Sequence, residues 1–280
     1  MNWQLLRNYF HIILCKKVNH FWLTFYFFCY IYSMLELNKI YNQDCLEGMK
    51  LIDDKSIDLI VTDTPYLFDN GNWKHSAKCG EKSILGNGEL FNEDGLMYTK
   101  MSTFGEDDID TFLTLALSKM KIPNMYIFCS ETQVPIYGMW AREHNLHFGI
   151  MVWEKPLSVI NKNRFSTNTE YVVRIYDFGT GLNTIKNNDY YNKVIHSKPL
   201  KGTDKMHPTQ KPIDAVDRFI LLSSNEGDVV LDPFSGSATT AVACIRNNRN
   251  FIGFELETEY YKKSLVRIER EIDEKKSGLW

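Results

Sequence analysis

From Met34 onward, short β-rich runs alternate with stretches of helical periodicity, and strands joined by crossover helices must pair largely in parallel. The alternation predicts strands over Ile57 to Thr62, Met125 to Cys129, Phe148 to Trp153, Tyr171 to Tyr176, Asp228 to Leu231 and Phe251 to Phe254. Between them Ile109, Phe112, Leu113, Leu115, Ala116 and Met120 recur at helical spacing within 107–120, and Pro212 suits the first turn of a helix running through Ile220 to Leu222. The stretches 67–105 and 183–206, rich in Gly, Asn and Lys, read as long loops whose length points to function. At 280 residues the chain suits one large α/β domain with a small appendage.

The first 33 residues differ from the rest: Phe21 to Tyr32 is almost wholly apolar and aromatic and follows Lys16 and Lys17. The run is too short for a spanning helix and is broken by Thr24, and the small residues of a signal-peptide cleavage site are missing. The expectation is a translated upstream extension with Met34 as the working start; a docked surface helix and a membrane-associated one are the alternatives. The six cysteines, Cys15, Cys29, Cys45, Cys79, Cys129 and Cys244, show no CxxC spacing, which argues against a disulfide framework or a zinc site and for a reducing cytoplasm. The net charge of -3 means that contact with a nucleic acid has to come from a local basic surface.

Four constellations carry candidate chemistry. Asp63-Thr64-Pro65-Tyr66 follows the run Asp58 to Thr62, so its acid is expected at the carboxyl end of a parallel strand, where open α/β sheets bind ligands. A carboxylate there, with the next residue's carbonyl, can accept both hydrogens of an exocyclic amine and free its lone pair for attack on an electrophilic methyl; Tyr66 offers a stacking face to an extruded base. In Val230 to Ala241 a strand ends at Asp232, a turn uses Pro233, Phe234, Ser235 and Gly236, and a helix of small residues begins at Ser237 or Thr239, aiming free N–H groups at an anion such as a carboxylate. Glu255 ends a strand some twenty residues later, where an acid takes ribose hydroxyls. Met206 to Pro212 holds Thr209 and Lys211 between two prolines. Taken singly, each has an ordinary explanation: a proline turn, a generic nucleotide turn, a surface acid and a helix cap.

In this order, the four strings resemble the β-class DNA amino-methyltransferases, from about Met34 to Glu271. The resemblance implies a mixed seven-stranded Rossmann-like α/β sheet with helices on both faces and a small target-recognition insertion. It implies S-adenosyl-L-methionine as cofactor and double-stranded DNA as substrate. By similarity Asp63, Thr64, Pro65 and Tyr66 match the catalytic tetrapeptide. Asp232, Phe234, Ser235, Gly236, Ser237 and Thr239 match the cofactor turn, Glu255 the ribose acid, and Thr209 with Lys211 the segment holding the methionine end. Asp44, in Asn42-Gln43-Asp44-Cys45, is expected to face the cofactor's adenine, its alternative being a plain helix cap. The chain would divide into the extension 1–33 and a methyltransferase domain 34–280, with a catalytic half (34–182), a candidate recognition loop (183–206) and a cofactor-binding half (207–280). Two positions depart from the family. Thr64 replaces a usual proline, which keeps the carbonyl and loosens the expected geometry; Ala238 replaces a usual glycine, adding a methyl group where the backbone is expected to approach the ligand.

The leading aspartate favours adenine N6 over cytosine N4, where serine is commoner in the family. Lys186, Lys193, Lys198, Lys201 and Lys205, with His196, form the candidate DNA-binding segment, a solvated loop being the alternative; Lys74, His75, Lys78 and Lys82 are candidates to close over the base. No metal is expected. A cognate restriction endonuclease and a homodimer are admitted as partners, and a membrane is not. The rivals are cytosine-N4 methylation, a non-catalytic cofactor- or DNA-binding relic, and an RNA methyltransferase.

Overall fold

The structure, a computed structural model, describes residues 35–67, 104–155, 165, 168–197 and 210–278. Everything reported below lies in the unit Glu36–Trp280. Its elements run β1 (Lys39–Tyr41), α1 (Cys45–Lys50), β2 (Leu59–Asp63), α2 (Glu106–Lys119), β3 (Asn124–Cys129), α3 (Val134–Glu143), β4 (His147–Glu154), β5 (Thr169–Tyr176), β6 (Val194–His196), α4 (Ile213–Ser223), β7 (Val229–Asp232), α5 (Thr239–Arg246), β8 (Asn250–Phe254) and α6 (Thr258–Lys276). The sheet order is β1-β8-β7-β2-β3-β5-β4-β6. β5 alone runs against its neighbours, pairing antiparallel with both β3 and β4; every other pairing is parallel.

β2 is apolar without alternation because Leu59, Ile60 and Val61 are buried on both faces, as a central parallel strand requires. Asp58 ties its start to β7 by accepting from Val229 N (2.9 Å), and Lys121 holds the same carboxylate at 2.8 Å. On one face Leu59, Val61, Tyr126, Phe128 and Val230 meet Ala215, Val216, Phe219 and Ile220 of α4 and Ala241 and Cys244 of α5. The Tyr126 and Phe219 rings stack at 4.3 Å between centroids. Burying each such aromatic side chain contributes about 1.5–3 kcal/mol. No helix among the described residues is long and apolar enough to cross a membrane.

The mixed sheet has eight strands where seven were expected. The stretch 183–206, expected as a loop, contributes β6 on the open edge of β4 and a 3-10 turn at Asn188–Tyr191. Three residues show no alternation to read, so β6, like β1, exists through its partner strand. Pro212 stands at the N-cap of α4, one residue before the first turn.

β2 and β7 lie side by side, yet from β2 the chain moves on to β3 and from β7 to β8, in opposite directions along the sheet. Such a reversal opens a crevice at the carboxyl ends of the two strands.

Candidate active site

Four adjacent strands each deliver an acid to that end of the sheet: Asp63 closes β2, Asp232 closes β7, Glu255 follows β8, and Asp44 stands three residues past β1. They line one cavity of about 340 Å³ together with Asp108, Glu170 and Glu257; Lys211 is its only Lys or Arg among the described residues. The volume suits a small ligand. So many acids beside one base disfavour a polyphosphate and favour a ligand bearing positive charge.

At the Asp63 end, Lys211 Nζ donates to Asp63 Oδ2 at 2.6 Å and stands 3.1 Å from Glu170 Oε2. Glu170 Oε2 also accepts from the Tyr66 hydroxyl at 2.8 Å, and its Oε1 pairs with Lys155 at 2.7 Å. Lys211 lies 5.5, 5.4 and 5.9 Å from the ring centres of Tyr66, Phe128 and Trp153. Asp63 Oδ1 is buried and has no hydrogen-bond partner among the described residues. Burial pushes the Asp63 carboxyl up to about 6, against the pull of Lys211. Glu170 is held below the usual carboxylate range because Lys211 and Lys155 outweigh its burial. Lys211 is raised, its two carboxylates overcoming desolvation. Lys211, expected at the methionine end of the cofactor, lines the cavity and reaches the tetrapeptide. Glu170 had no motif to mark it. Because β5 runs against its neighbours, its first residues arrive at the end where the other strands finish.

The tetrapeptide is anchored from behind. The buried Thr64 hydroxyl bonds to Tyr137 Oη (2.9 Å) and donates to the Phe128 carbonyl (3.3 Å). Gln133, fully buried, donates to the Pro65 carbonyl at 2.9 Å while its own carbonyl accepts from Ser130 N and Oγ. Sequence reading passed over Gln133 and Tyr137 because both lie on or beside α3, far away along the chain.

The glycine turn forms as expected, with α5 starting at Thr239 and lacking a side-chain cap. Asp232 Oδ1 accepts from Thr62 Oγ1 (2.6 Å) and Phe234 N (3.2 Å), and burial raises this carboxyl to about 6. Gly236 has φ +48°, and its N–H donates to Glu255 Oε2 at 2.8 Å; Glu257 N donates to Oε1 at 2.8 Å. Burial raises Glu255, opposed by those backbone donors. The Phe234 ring stands edge-on to Phe104 and Phe112. Ser235, packed against β8, donates to the Asp232 carbonyl at 3.0 Å, and the space it fills is open only because residue 253 is glycine: a Cβ there would meet Ser235 Oγ at 2.2 Å. Ser237 and Thr239 line the cavity. Ala238 takes the left-handed conformation, φ 61° and ψ 32°, and its methyl is buried in the core, not among the cavity walls, so the expected approach of that methyl to the ligand does not occur. Asp44 caps α1, accepting from Leu46 N and Glu47 N through one carboxylate oxygen, and lines the cavity as well.

Of the lysines expected to meet DNA, Lys186 and Lys193 are exposed. Lys186 lies three residues past Asn183, whose backbone and side chain bond the last turn of α4, at the end of the sheet opposite the cavity. Lys193 immediately precedes β6. His196 pairs with Glu154 at 3.0 Å. Thr209, Lys198, Lys201 and Lys205, the segment holding Lys74, His75, Lys78 and Lys82, and the extension 1–33 lie outside the described residues.

A family model described as DNA methylase, the N6/N4 methyltransferases, matches residues 57–266. The Type II methyltransferase M2.MboI of Moraxella bovis is 30% identical over 244 residues, covering 81% of this chain and 86% of its own. Among solved structures, the M1.HpyAVI–SAM complex superposes with a TM-score of 0.57 at 23% identity, over 82% of this chain and 98% of that one. The cytosine-N4-specific PvuII DNA methyltransferase superposes with a TM-score of 0.61 at 17% identity, over 86% and 93% of the two chains. At those identities the structures speak for the fold, and the family model and the relative for descent. With the Asp63 tetrapeptide, the glycine turn and Glu255 brought to one crevice in the order the sequence presents them, the chain belongs to the N6/N4 DNA methylase family.

Proposed function

We propose that the protein transfers a methyl group from S-adenosyl-L-methionine to the exocyclic amine of a base extruded from duplex DNA, adenine N6 being the target. The observation that carries this reading is the Asp63 carboxylate on the cavity that Glu255 and the Gly236 turn also line. The residues fit the cofactor: its sulfonium and ammonium charges match the acidic wall, and Glu255, already fixed by two backbone N–H groups, retains acceptor capacity for a ribose. When bound, S-adenosyl-L-methionine supplies a methyl group on a positively charged sulfur. The Asp63 carboxylate accepts one amine hydrogen and the Thr64 carbonyl the other, which turns the nitrogen lone pair away from the ring and toward the donor. Tyr66, tethered to Glu170, presents its face for the extruded base to stack on. Duplex phosphates would be met by exposed lysines on the β6 edge such as Lys193.

The Type II name of the Moraxella relative supports a partner restriction endonuclease, and the buried free thiols of Cys45, Cys129 and Cys244 suit a reducing cytoplasm. The test is to methylate duplex DNA with labelled cofactor, digest it, and identify the nucleoside. N6-methyl-2′-deoxyadenosine is expected; N4-methyl-2′-deoxycytidine would move the target to cytosine, and label in RNA only would remove DNA from the reading. Asp63→Ala should lower the single-turnover rate by about 10²–10³-fold while cofactor still binds, and retained methylation would overturn the role given to Asp63.

A further inference from the structure

We infer that Glu170 and Lys211 are positioning residues for methyl transfer: together they fix the orientation of the Asp63 carboxylate and hold the Tyr66 ring that stacks the base. This rests on the reading of Asp63 and Tyr66 given above.

The geometry leaves little freedom. A carboxylate has two equivalent oxygens, and a side chain at the end of a strand can rotate to offer either. Lys211 removes that freedom by donating to Oδ2 at 2.6 Å, which fixes the rotation of the carboxylate with Oδ1 turned inward, buried and without a partner among the described residues. Lys211 is itself fixed. Its side chain is 7% exposed, with the rings of Tyr66, Phe128 and Trp153 around its ammonium and Glu170 Oε2 at 3.1 Å. Away from water, an ammonium between two carboxylates is held far more firmly than a surface pair.

Glu170 closes the arrangement. The oxygen that faces Lys211 also accepts the Tyr66 hydroxyl at 2.8 Å, and the other oxygen is occupied by Lys155. One carboxylate on β5 therefore restrains the first residue of the tetrapeptide through Lys211 and the last one directly. The four charges Asp63, Lys211, Glu170 and Lys155 cancel in sum, so the network can be buried without a stranded charge. The titratable groups facing Asp63 are Lys211, Glu170, Lys155, Tyr66, Cys129, Tyr137 and Asp232. Among them Lys211 favours the ionised Asp63, and Glu170 opposes it.

Opposite electrostatic signs give the test its discriminating power. In the full-length protein, Glu170→Gln keeps the size and an acceptor for Tyr66 but removes a negative charge beside Asp63. Lys211→Met removes the positive charge. Single-turnover rates would be measured against pH at saturating S-adenosyl-L-methionine, with cofactor affinity measured separately by calorimetry. Both variants should lose about tenfold to a hundredfold in rate, the range a small misplacement of a reacting group causes. Cofactor dissociation constants should stay within about threefold of wild type. The acid limb of the profile should move to lower pH in Glu170→Gln and to higher pH in Lys211→Met. Limbs that stay in place, or move in the same direction, would overturn the inference. So would a Lys211→Met variant whose loss lies in cofactor affinity, since the lysine would then hold the cofactor. If Lys211→Met does not fold, the isosteric Glu170→Gln decides alone, by its rate and the downward shift of its limb. Asp63→Ala in the same assay separates the two failures: an active Asp63→Ala sinks the reading of the site, while an inactive one beside unaltered Glu170→Gln and Lys211→Met sinks only the inference.

Discussion

Thr64 stands where the resemblance leads one to expect proline, and the structure shows what holds the backbone in its place. A proline stiffens its own φ; here a buried threonine hydroxyl reaches Tyr137 and the Phe128 carbonyl, so an interior bond replaces the ring. The loosening expected from sequence is thus offset by Tyr137, a fully buried residue. Thr64→Pro should consequently destabilise the protein, because it leaves the Tyr137 hydroxyl buried without a partner at a cost of about 1–3 kcal/mol. Thermal unfolding should show the loss, and adding Tyr137→Phe should recover most of it; a Thr64→Pro single variant as stable as wild type would contradict the argument. Ala238 follows the same logic. Its left-handed backbone carries strain of roughly 1–2 kcal/mol, but the methyl that causes the strain packs into the core, away from the ligand cavity.

Among the elements, β5 and α6 do the least expected work. β5 runs against the sheet, and that reversal carries Glu170 to the crevice; a parallel strand with the same residues would deliver Tyr176 there instead. α6 matters through Arg267, whose guanidinium donates to the Ser237 carbonyl at 2.7 Å and approaches Ser237 Oγ at 3.3 Å and Thr239 Oγ1 at 3.1 Å, bracing the glycine turn from behind. Charge-assisted bonds of this kind contribute about 1.5–3 kcal/mol each when buried. Arg267→Met should therefore loosen the turn and raise the dissociation constant for S-adenosyl-L-methionine about tenfold, the equivalent of roughly 1.4 kcal/mol. Calorimetric titration checks it, and unaltered affinity would mean that the turn stands without its brace. β2, β3, β4, β5, β7 and β8 were legible along the chain as runs of β-branched and aromatic residues, α2 by its helical period and α4 by its leading proline. β1 and β6 were not, at three residues each.

At the scale of the described unit, the cavity is walled by strands from both sides of the β2–β7 reversal, so a ligand seated there ties the two sides together. Cofactor at a hundred times its dissociation constant stabilises a fold that binds it by about 2.7 kcal/mol. For a domain of this size that corresponds to roughly 5–10 °C in Tm. Thermal scans with S-adenosyl-L-methionine should show the rise, whereas ATP, repelled by the acidic wall, should produce little; equal shifts from both would argue against charge selection. The sequence by itself determined the fold class, the position of Asp63 and Glu255 at strand ends, and the glycine turn, because each depends on local periodicity or on a few neighbouring residues. Only the tertiary structure decided that Lys211 meets Asp63 across 148 positions of chain, that Glu170 joins them, and that Tyr137 and Arg267 brace the site. Those pairings follow from strand order and direction, which arise from the packing of the whole sheet and leave no periodic trace in any one segment.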